Sequence, residues 1–251
     1  MPELHVHYLP HFVREHDLAE STVVVIDQLR ASSTVCHALA AGARDVVPFQ
    51  EVDDVLTAAG DYNRADVLMG GERGGERIDS FDLGNSPSEY TADVVFGKRV
   101  LFTTTNGTRA INHARLASRV IMGAAANLTA VCDAVSSDAV VHLLCAGTNG
   151  HVSRDDLLIA GAMAHELSQR GQWVLNEGAQ ATRGEWQELL NAAVANARSP
   201  SEQLAIELCD TPGGKNLLAI GHDEDLVVCA QIDSKPVVPE LDRDAGCLKL
   251  P

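Results

Sequence analysis

Short runs of β-branched residues alternate with helix-like patterns along most of this chain. The clearest run is Thr22–Ile26, whose unbroken sequence TVVVI is typical of a strand that is buried on both faces. Alternation of short strands with helices predicts an α/β fold, in which a mostly parallel sheet is flanked by helices. Ligands of such sheets bind beyond the carboxyl ends of the strands, so we expect the functional site there.

The hydrophobic pattern places the individual elements. The expected strands are Leu4–Tyr8, Thr22–Ile26, Asp45–Pro48, Asp66–Met69, Arg99–Thr103, Arg119–Met122, Ala139–Leu144 and Leu226–Ile232. The expected helices are Ser33–Ala41, Val52–Tyr62, Arg109–Ala117, Leu128–Val135, Arg154–Gln169, Gly184–Ala197 and Pro200–Leu208.

The pattern changes after Gly171, where two helices, a glycine-rich turn at Thr211–Gly214 and a proline- and acid-rich tail replace the alternation. No repeat, low-complexity tract or linker separates this part from the rest. We therefore predict a single domain over residues 1–251, within which 171–251 forms a C-terminal subregion.

A long segment, Gly70–Pro87, fits neither a helix nor a strand. It is rich in glycine and acids, and only Ile78, Phe81 and Leu83 are large and apolar. Loops of this length in a compact domain are functional or disordered. Phe81 and Leu83 are spaced like anchors, and the sequence GNSP is typical of a defined turn. We therefore predict an ordered loop that forms part of the site.

Composition narrows the classes of partner and the cellular setting that are expected. No apolar run approaches the roughly 20 residues that a membrane span needs, and the N-terminal residues lack the features of a signal peptide. The six cysteines form no C-x-x-C pair, which favours reduced thiols in a cytoplasmic protein. A formal charge of −16 argues against nucleic acid and anionic membranes as partners. The expected partner is a small molecule, and a homo-oligomer is compatible with this interpretation.

Polar residues follow several of the predicted strands. They combine acids, arginines, hydroxyls and amides, and this mixture suits an anion held by arginine and backbone amides beside a hard cation held by carboxylates. The set is Asp27, Arg30, Ser32, Ser33, Glu72, Arg73, Asp82, Asn85, Ser86, Thr104, Thr105, Asn106, Gly107, Thr108, Arg109, Thr148, Asn149, Asp155 and Asp156.

Each of these groups also has a purely structural explanation. The sequence TTTNGT can form a phosphate nest, or its threonines and asparagine can simply cap the next helix. Asp27 ends a buried strand and needs a partner, which could be a cation or Arg30. Asp155 and Asp156 could be first-turn acids that the helix dipole favours.

Covalent catalysis has no strong support in the sequence. Cys145 follows a strand, but no basic residue comes before Arg154, so a buried structural cysteine is the better interpretation. The pair His5 and His7 is expected at the surface rather than on a metal. Aspartyl-phosphate, P-loop and G-x-S-x-G motifs are absent.

Five segments, in order, resemble the 2-phosphosulfolactate phosphatase family: VVIDQLRASST, GGERGG…SFDLGNSPSEY, LFTTTNGTRAI, LLCAGTNGHVSRDDLLIAG and DLVVCAQID…VVPEL. The resemblance implies a Mg²⁺-dependent phosphomonoesterase that releases phosphate from 2-phospho-3-sulfolactate, a step of coenzyme M synthesis. Two positions depart from the family pattern. The chain has Asp155-Asp156 where the family has Glu-Asp, and Asn176 where an aspartate is expected.

The resemblance also implies roles for residues. Mg²⁺ would be held by Asp27, Glu72 and Asp156 with water. Catalysis is assigned to Asp27, Arg30, Thr104 and Asn106. Substrate contacts are assigned to Ser32, Ser33, Arg73, Asn85, Ser86, Thr105, Gly107 and Thr108, among which Arg73, Asn85 and Ser86 would face the sulfonate and carboxylate. Two other functions stay open: a non-catalytic binding protein for a phosphorylated or sulfonated acid, and an isomerase or lyase acting on a small hydroxy acid.

Overall fold

The computed structural model describes all residues from Met1 to Pro251. Its strands are β1 Glu3–His7, β2 Thr22–Ile26, β3 Asp45–Phe49, β4 Val67–Arg73, β5 Glu76–Arg77, β6 Arg99–Thr103, β7 Arg119–Gly123, β8 Val140–Cys145, β9 Val174–Leu175, β10 Glu240–Asp242 and β11 Cys247–Lys249. Its helices are α1 Ala31–Ala40, α2 Val52–Ala59, α3 Ala92–Val95, α4 Gly107–His113, α5 Leu128–Val135, α6 Arg154–Arg170, α7 Glu177–Ala195, α8 Pro200–Asp210, α9 Pro212–Ala219 and α10 Asp223–Cys229. Short 3-10 helices occupy Pro10–Phe12, Glu15–Leu18, Pro87–Glu89 and Ala125–Asn127.

The strands form one mostly parallel sheet in the order β5-β4-β6-β3-β11-β10-β7-β2-β8-β1-β9. Two groups of neighbours are parallel, β4-β6-β3 and β7-β2-β8-β1-β9. The hairpin β10–β11 lies between them and pairs antiparallel with β7 and with β3.

The α/β class and the helix-flanked sheet are confirmed, and β2 shows why the pattern was informative. All five residues of β2 are buried. Val24 and Ile26 pack with α5, α6 and α7, whereas Val23 and Val25 pack with α1 on the other face. Burial on both faces therefore explains the unbroken apolar run. No helix in the structure has the length and apolar character that crossing a membrane requires.

The C-terminal part corrects two predictions. Leu226–Ile232, predicted as a strand, mostly belongs to helix α10. Its β-branched pair Val227-Val228 suggested a strand, but three acids stabilise the first helical turn and the buried Leu226 and Cys229 have helical spacing. The tail is not a plain loop either, since β10 and β11 occupy the middle of the sheet.

The start of Gly70–Pro87 also differs from the prediction. Strand β4 continues to Arg73 and turns back as β5, so the segment begins as a hairpin. The remainder is an ordered loop, in which Phe81 and Leu83 are buried. Its turn is fixed by Tyr90, whose hydroxyl donates to the Gly84 carbonyl at 2.7 Å. Burial of the two predicted anchors explains how a glycine-rich segment keeps one conformation.

Candidate active site

A cavity of about 290 Å³ lies where the loops after β2, β4, β6 and β8 meet. A Cβ atom at Gly107 would lie 2.9 Å from Asp27 Oδ2 and 2.7 Å from the Ala31 Cβ, so glycine allows the loop after β6 to approach the loop after β2. The lining residues are Asp27, Leu29, Arg30, Glu72, Gly74, Gly75, Asn85, Thr104, Thr105, Asn106, Thr148, Asn149, Pro212, Gly213, Asn216 and Leu217.

Two buried carboxylates line this cavity. Asp27 Oδ1 accepts from the Ala31 amide at 3.3 Å. Glu72 Oε1 accepts from the Thr105 amide at 2.9 Å, and Oε2 accepts from the Gly75 amide at 2.7 Å. Burial raises the pKa of Asp27 to about 7, and the neighbouring charges of Asp155 and Glu72 add to the shift. No lysine, arginine or histidine pairs with Asp27, so its charge has no protein counterion.

Asp156 does not join these two carboxylates as predicted. Its Oδ1 accepts from the Gln28 amide at 2.8 Å and its Oδ2 from the Gly147 amide at 2.9 Å. It therefore ties the loop after β2 to the loop after β8 from behind the cavity wall. Burial, then the charges of Asp155 and Asp27, raise the pKa of Asp156 well above its usual range. No group of three His, Cys, Asp or Glu side chains is arranged to hold a metal ion, so the predicted three-carboxylate site is not formed.

Arg30 pairs with Asp225 and not with Asp27. Its Nη1 donates to Asp225 Oδ2 at 2.6 Å, and its Nη2 donates to the Gly75 carbonyl at 2.5 Å. The two side chains are only 2% and 3% exposed. The alternative of an Asp27–Arg30 ion pair is therefore wrong. Asp225 Oδ1 also accepts from the Ser86 hydroxyl at 2.6 Å, so one carboxylate holds two of the predicted site residues in place.

Two buried polar atoms on the cavity wall have no hydrogen-bond partner. They are Thr104 Oγ1 and Asn85 Oδ1, in side chains that belong to residues 3% and 4% exposed. Buried polar groups are nearly always paired, so an orphan pair facing one cavity indicates a place where a polar ligand or water binds. Both residues were among those predicted from the sequence.

Other predicted residues hold the loops rather than line the cavity. Ser32 Oγ accepts from the Asp27 amide at 2.9 Å, and Ser33 Oγ donates to the Gln28 carbonyl at 3.0 Å. Thr108 Oγ1 accepts from the Thr104 amide at 3.4 Å. These bonds fix the backbone that carries the lining residues.

Arg73 also lies away from the lining, contrary to its predicted contact with the sulfonate or carboxylate. Its guanidinium donates to the carbonyls of Glu72 and Gln50, each at 2.8 Å, and to Thr103 Oγ1 at 3.1 Å. Because β4 extends to Arg73, its side chain braces the strand ends. Of the predicted set, those that line the cavity are Asp27, Arg30, Glu72, Asn85, Thr104, Thr105, Asn106, Thr148 and Asn149.

Sequence reasoning missed the contribution of the C-terminal helices. Helix α9 brings four residues to the cavity, and α10 brings Asp225 to Arg30. A local signal for α9 was present: Thr211 caps the helix by accepting from the Gly214 amide at 3.0 Å, and Pro212 is its first residue. For Asp225 no local signal exists, since its partner lies in a distant part of the chain.

The structure gives a non-catalytic explanation for Cys145, Asn176 and His7. Cys145 is fully buried, and burial raises the pKa of its thiol well above the usual range, which does not suit a nucleophile. Asn176 caps α7 by accepting from the Ala179 amide at 2.8 Å and also bonds to Val6 of β1. His7 is not free at the surface but bonds His142 at 2.8 Å.

The family model described as 2-phosphosulpholactate phosphatase matches residues 7–244. A probable 2-phosphosulfolactate phosphatase of Caldanaerobacter subterraneus is 35% identical over 230 residues, covering 91% of each chain. One of Synechococcus sp. is 37% identical over 236 residues, covering 92% of this chain and 93% of the relative. One of Symbiobacterium thermophilum is 37% identical over 224 residues, covering 89% of this chain and 92% of the relative. The chain therefore belongs to the 2-phosphosulfolactate phosphatase family.

Proposed function

We propose that this protein is a Mg²⁺-dependent phosphomonoesterase that hydrolyses 2-phospho-3-sulfolactate to sulfolactate and phosphate. The observation that carries the proposal is the unpartnered Thr104 hydroxyl in a cavity that two carboxylates also line, because this hydroxyl can donate to a phosphate oxygen. Membership of a family of phosphoric monoester hydrolases supports the reaction type, and the names of the relatives support the substrate.

Asp27 and Glu72 are the residues that would hold the cation. Mg²⁺ is commonly bound by one or two carboxylates together with water and substrate phosphate, so two lining carboxylates fit it without Asp156. The absence of a counterion for Asp27 is in keeping with a cation at this position. When bound, the ion would supply Lewis-acid polarisation of a phosphate oxygen.

The remaining lining groups suit the phosphate. Thr104 offers a hydroxyl that donates to no protein atom, and Thr105 and Asn106 continue the same wall. Arg30 uses one N–H on Asp225 and one on Gly75, which leaves further donors of its planar guanidinium for a ligand. In the reaction, a water oxygen forms a bond to phosphorus and the bond to the ester oxygen breaks. These donors would stabilise the charge that develops on the phosphoryl oxygens.

The test is phosphate release from 2-phosphosulfolactate and a panel of small phosphomonoesters, with Mg²⁺ and with excess EDTA. We expect release that needs the cation. Thr104→Val should lower kcat by about tenfold or more without loss of stability, because it removes an unpaired hydroxyl. Thr91→Val, at an exposed threonine, is the matched control. Full turnover in EDTA would refute the requirement for a metal ion. Tight binding of the ester without phosphate release would favour the binding-protein alternative.

A further inference from the structure

A second cleft, of about 160 Å³, opens beside the main cavity. Its lining residues are Leu9, Pro10, His11, Asn106, Arg109, His113, Ala146 and Gly150. Asn106 lines both spaces, and its Oδ1 accepts from the Asn149 amide at 3.0 Å. Asn149 lines the main cavity and Gly150 lines the cleft, so the two spaces adjoin at Asn106.

Arg109 is the charged residue of this cleft. Its guanidinium is exposed and forms no ion pair or hydrogen bond with any other residue. Glu15, the acid on this side of the molecule that lies 3.9 Å from His113, is already paired with Arg115 at 2.7 Å. Arg109 thus keeps all its donors for a ligand.

The other two arginines near the main cavity both have protein partners. The charge of Arg30 is offset by Asp225, and Arg73 donates to two carbonyls and a hydroxyl outside the lining. The main cavity itself exposes two carboxylates. In a chain with a formal charge of −16, an acidic group that no cation offsets is repelled by these carboxylates and is attracted to Arg109.

The two histidines of the cleft are held in place by their neighbours. His113 Nε2 lies 2.9 Å from the Val13 carbonyl, which can only accept, so this nitrogen carries the proton and the ring orientation is fixed. The ring of His11 packs edge-on against Phe12 at 4.7 Å between centroids. Both rings are held on short, well-defined segments beside Arg109.

We propose that this cleft binds the non-reacting acidic end of the substrate, with Arg109 as the principal donor. The inference rests on the proposed function for the identity of the substrate. In 2-phosphosulfolactate the carboxylate is attached directly to the carbon that bears the phosphate ester, and the sulfonate is attached to that carbon through one methylene group. A phosphate at Thr104 therefore places one of these acids across Asn106, toward the guanidinium.

The experiment compares Arg109→Gln with Arg243→Gln, which removes the same charge at an exposed, unpaired arginine between β10 and β11. Three substrates are used: 2-phosphosulfolactate, 2-phospholactate, which lacks the sulfonate, and isopropyl phosphate, which lacks both acids. For Arg109→Gln we expect kcat/KM to fall by about tenfold or more on 2-phosphosulfolactate and to change by less than about twofold on isopropyl phosphate. The reason is that a charge-assisted contact is lost only where the substrate carries an acid. A loss on 2-phospholactate assigns the carboxylate to the cleft, and a loss confined to 2-phosphosulfolactate assigns the sulfonate.

Equal effects on all three substrates, or equal effects of the two variants, would overturn the assignment. Calorimetric titration of sulfolactate into both variants separates this inference from the proposed function, because it needs no turnover. A wild-type protein that hydrolyses none of the esters refutes the phosphatase proposal. In that case, sulfolactate affinity that falls by about tenfold in Arg109→Gln alone still supports the cleft, and unchanged affinity refutes it.

Discussion

Replacing Asp225 by alanine should destabilise the protein more than any exposed ion-pair change. The Arg30 and Asp225 side chains are 2% and 3% exposed and their charged atoms are 2.6 Å apart. Removing the carboxylate leaves the guanidinium buried with the Gly75 carbonyl as its protein acceptor, and it leaves the Ser86 hydroxyl without its partner. Stranding one charge of a buried pair costs about 3–5 kcal/mol, and we expect the free energy of unfolding to fall by that amount.

The assay is urea unfolding followed by tryptophan fluorescence and circular dichroism, in the metal-free protein at neutral pH. The control is Glu207→Ala, which breaks a contact of 2.9 Å with Arg154 between side chains that are 25% and 41% exposed. A partly exposed pair contributes at most about 1 kcal/mol, so the two variants should differ clearly. Equal losses in the two variants would show that burial of the Arg30 pair carries no special cost.

A double variant, Arg30→Met with Asp225→Leu, separates stability from catalysis. It removes both charges and fills the space with apolar side chains, so much of the stability lost in Asp225→Ala should return. Phosphate release should not return, because the proposed donor to the phosphate is absent. A double variant as unstable as Asp225→Ala would refute the argument from a stranded charge, and one with wild-type turnover would remove Arg30 from the mechanism.

Three further results are expected. Asp27→Asn should weaken Mg²⁺ binding by about tenfold or more, or about 1.4 kcal/mol. The stability of the metal-free protein should not fall, because no cation pairs with Asp27. A lower metal-free melting temperature with unchanged Mg²⁺ affinity would show that the role of Asp27 is structural. Cys145→Ala should keep kcat within about twofold, since a buried thiol with a raised pKa is not a nucleophile, and loss of turnover in a folded variant would contradict this. Burial lowers the pKa of His142 from 6.5 to about 3 and that of His7 to about 4, so the stability that their neutral rings contribute is present above pH 6.5 and is lost as the pH falls toward 4. Between pH 7 and pH 4, the melting temperature should therefore fall less steeply for His142→Gln than for the wild type or for the exposed His16→Gln. Identical slopes would refute this prediction.

The pattern of β-branched runs was enough to predict the fold class and most of the cavity wall. Asp27 directly follows β2, and the TTTNGT sequence begins at the last residue of β6; local patterns predict both positions. Local patterns identify strand ends well because burial on both faces demands an unbroken apolar run. The rule that ligands lie beyond the carboxyl ends of the strands then predicted which loops line the cavity.

The direction and order of the strands could not be predicted in the same way. The hairpin β10–β11 comes from the tail and inserts between β3 and β7, so its position depends on pairing across the whole chain. The short runs ELD and CLK carry no pattern strong enough to mark a central strand.

Individual roles were least predictable where a side chain has several possible partners. Asp156 looks like a cation ligand in the sequence, but it does not line the cavity, and its oxygens tie two loops together through backbone amides. Arg73 looks like an anion ligand, but carbonyls and a hydroxyl occupy its guanidinium. The residue types were right in each case, and the partners were decided by loops that meet only in the folded chain.

The charges around the cavity also bear on the order in which ligands bind. Asp27 and Glu72 line the cavity, and the one arginine of its lining is already neutralised by Asp225. A phosphomonoester brings further negative charge into this space, and at short range in a partly buried site like charges repel strongly. The ester should therefore bind weakly to the metal-free protein and more tightly once a divalent cation has offset the two carboxylates. Arg109 lies in the adjacent cleft and is unpaired, so an acidic group held there does not depend on that cation. Mg²⁺ should accordingly raise the affinity for isopropyl phosphate by a larger factor than the affinity for sulfolactate.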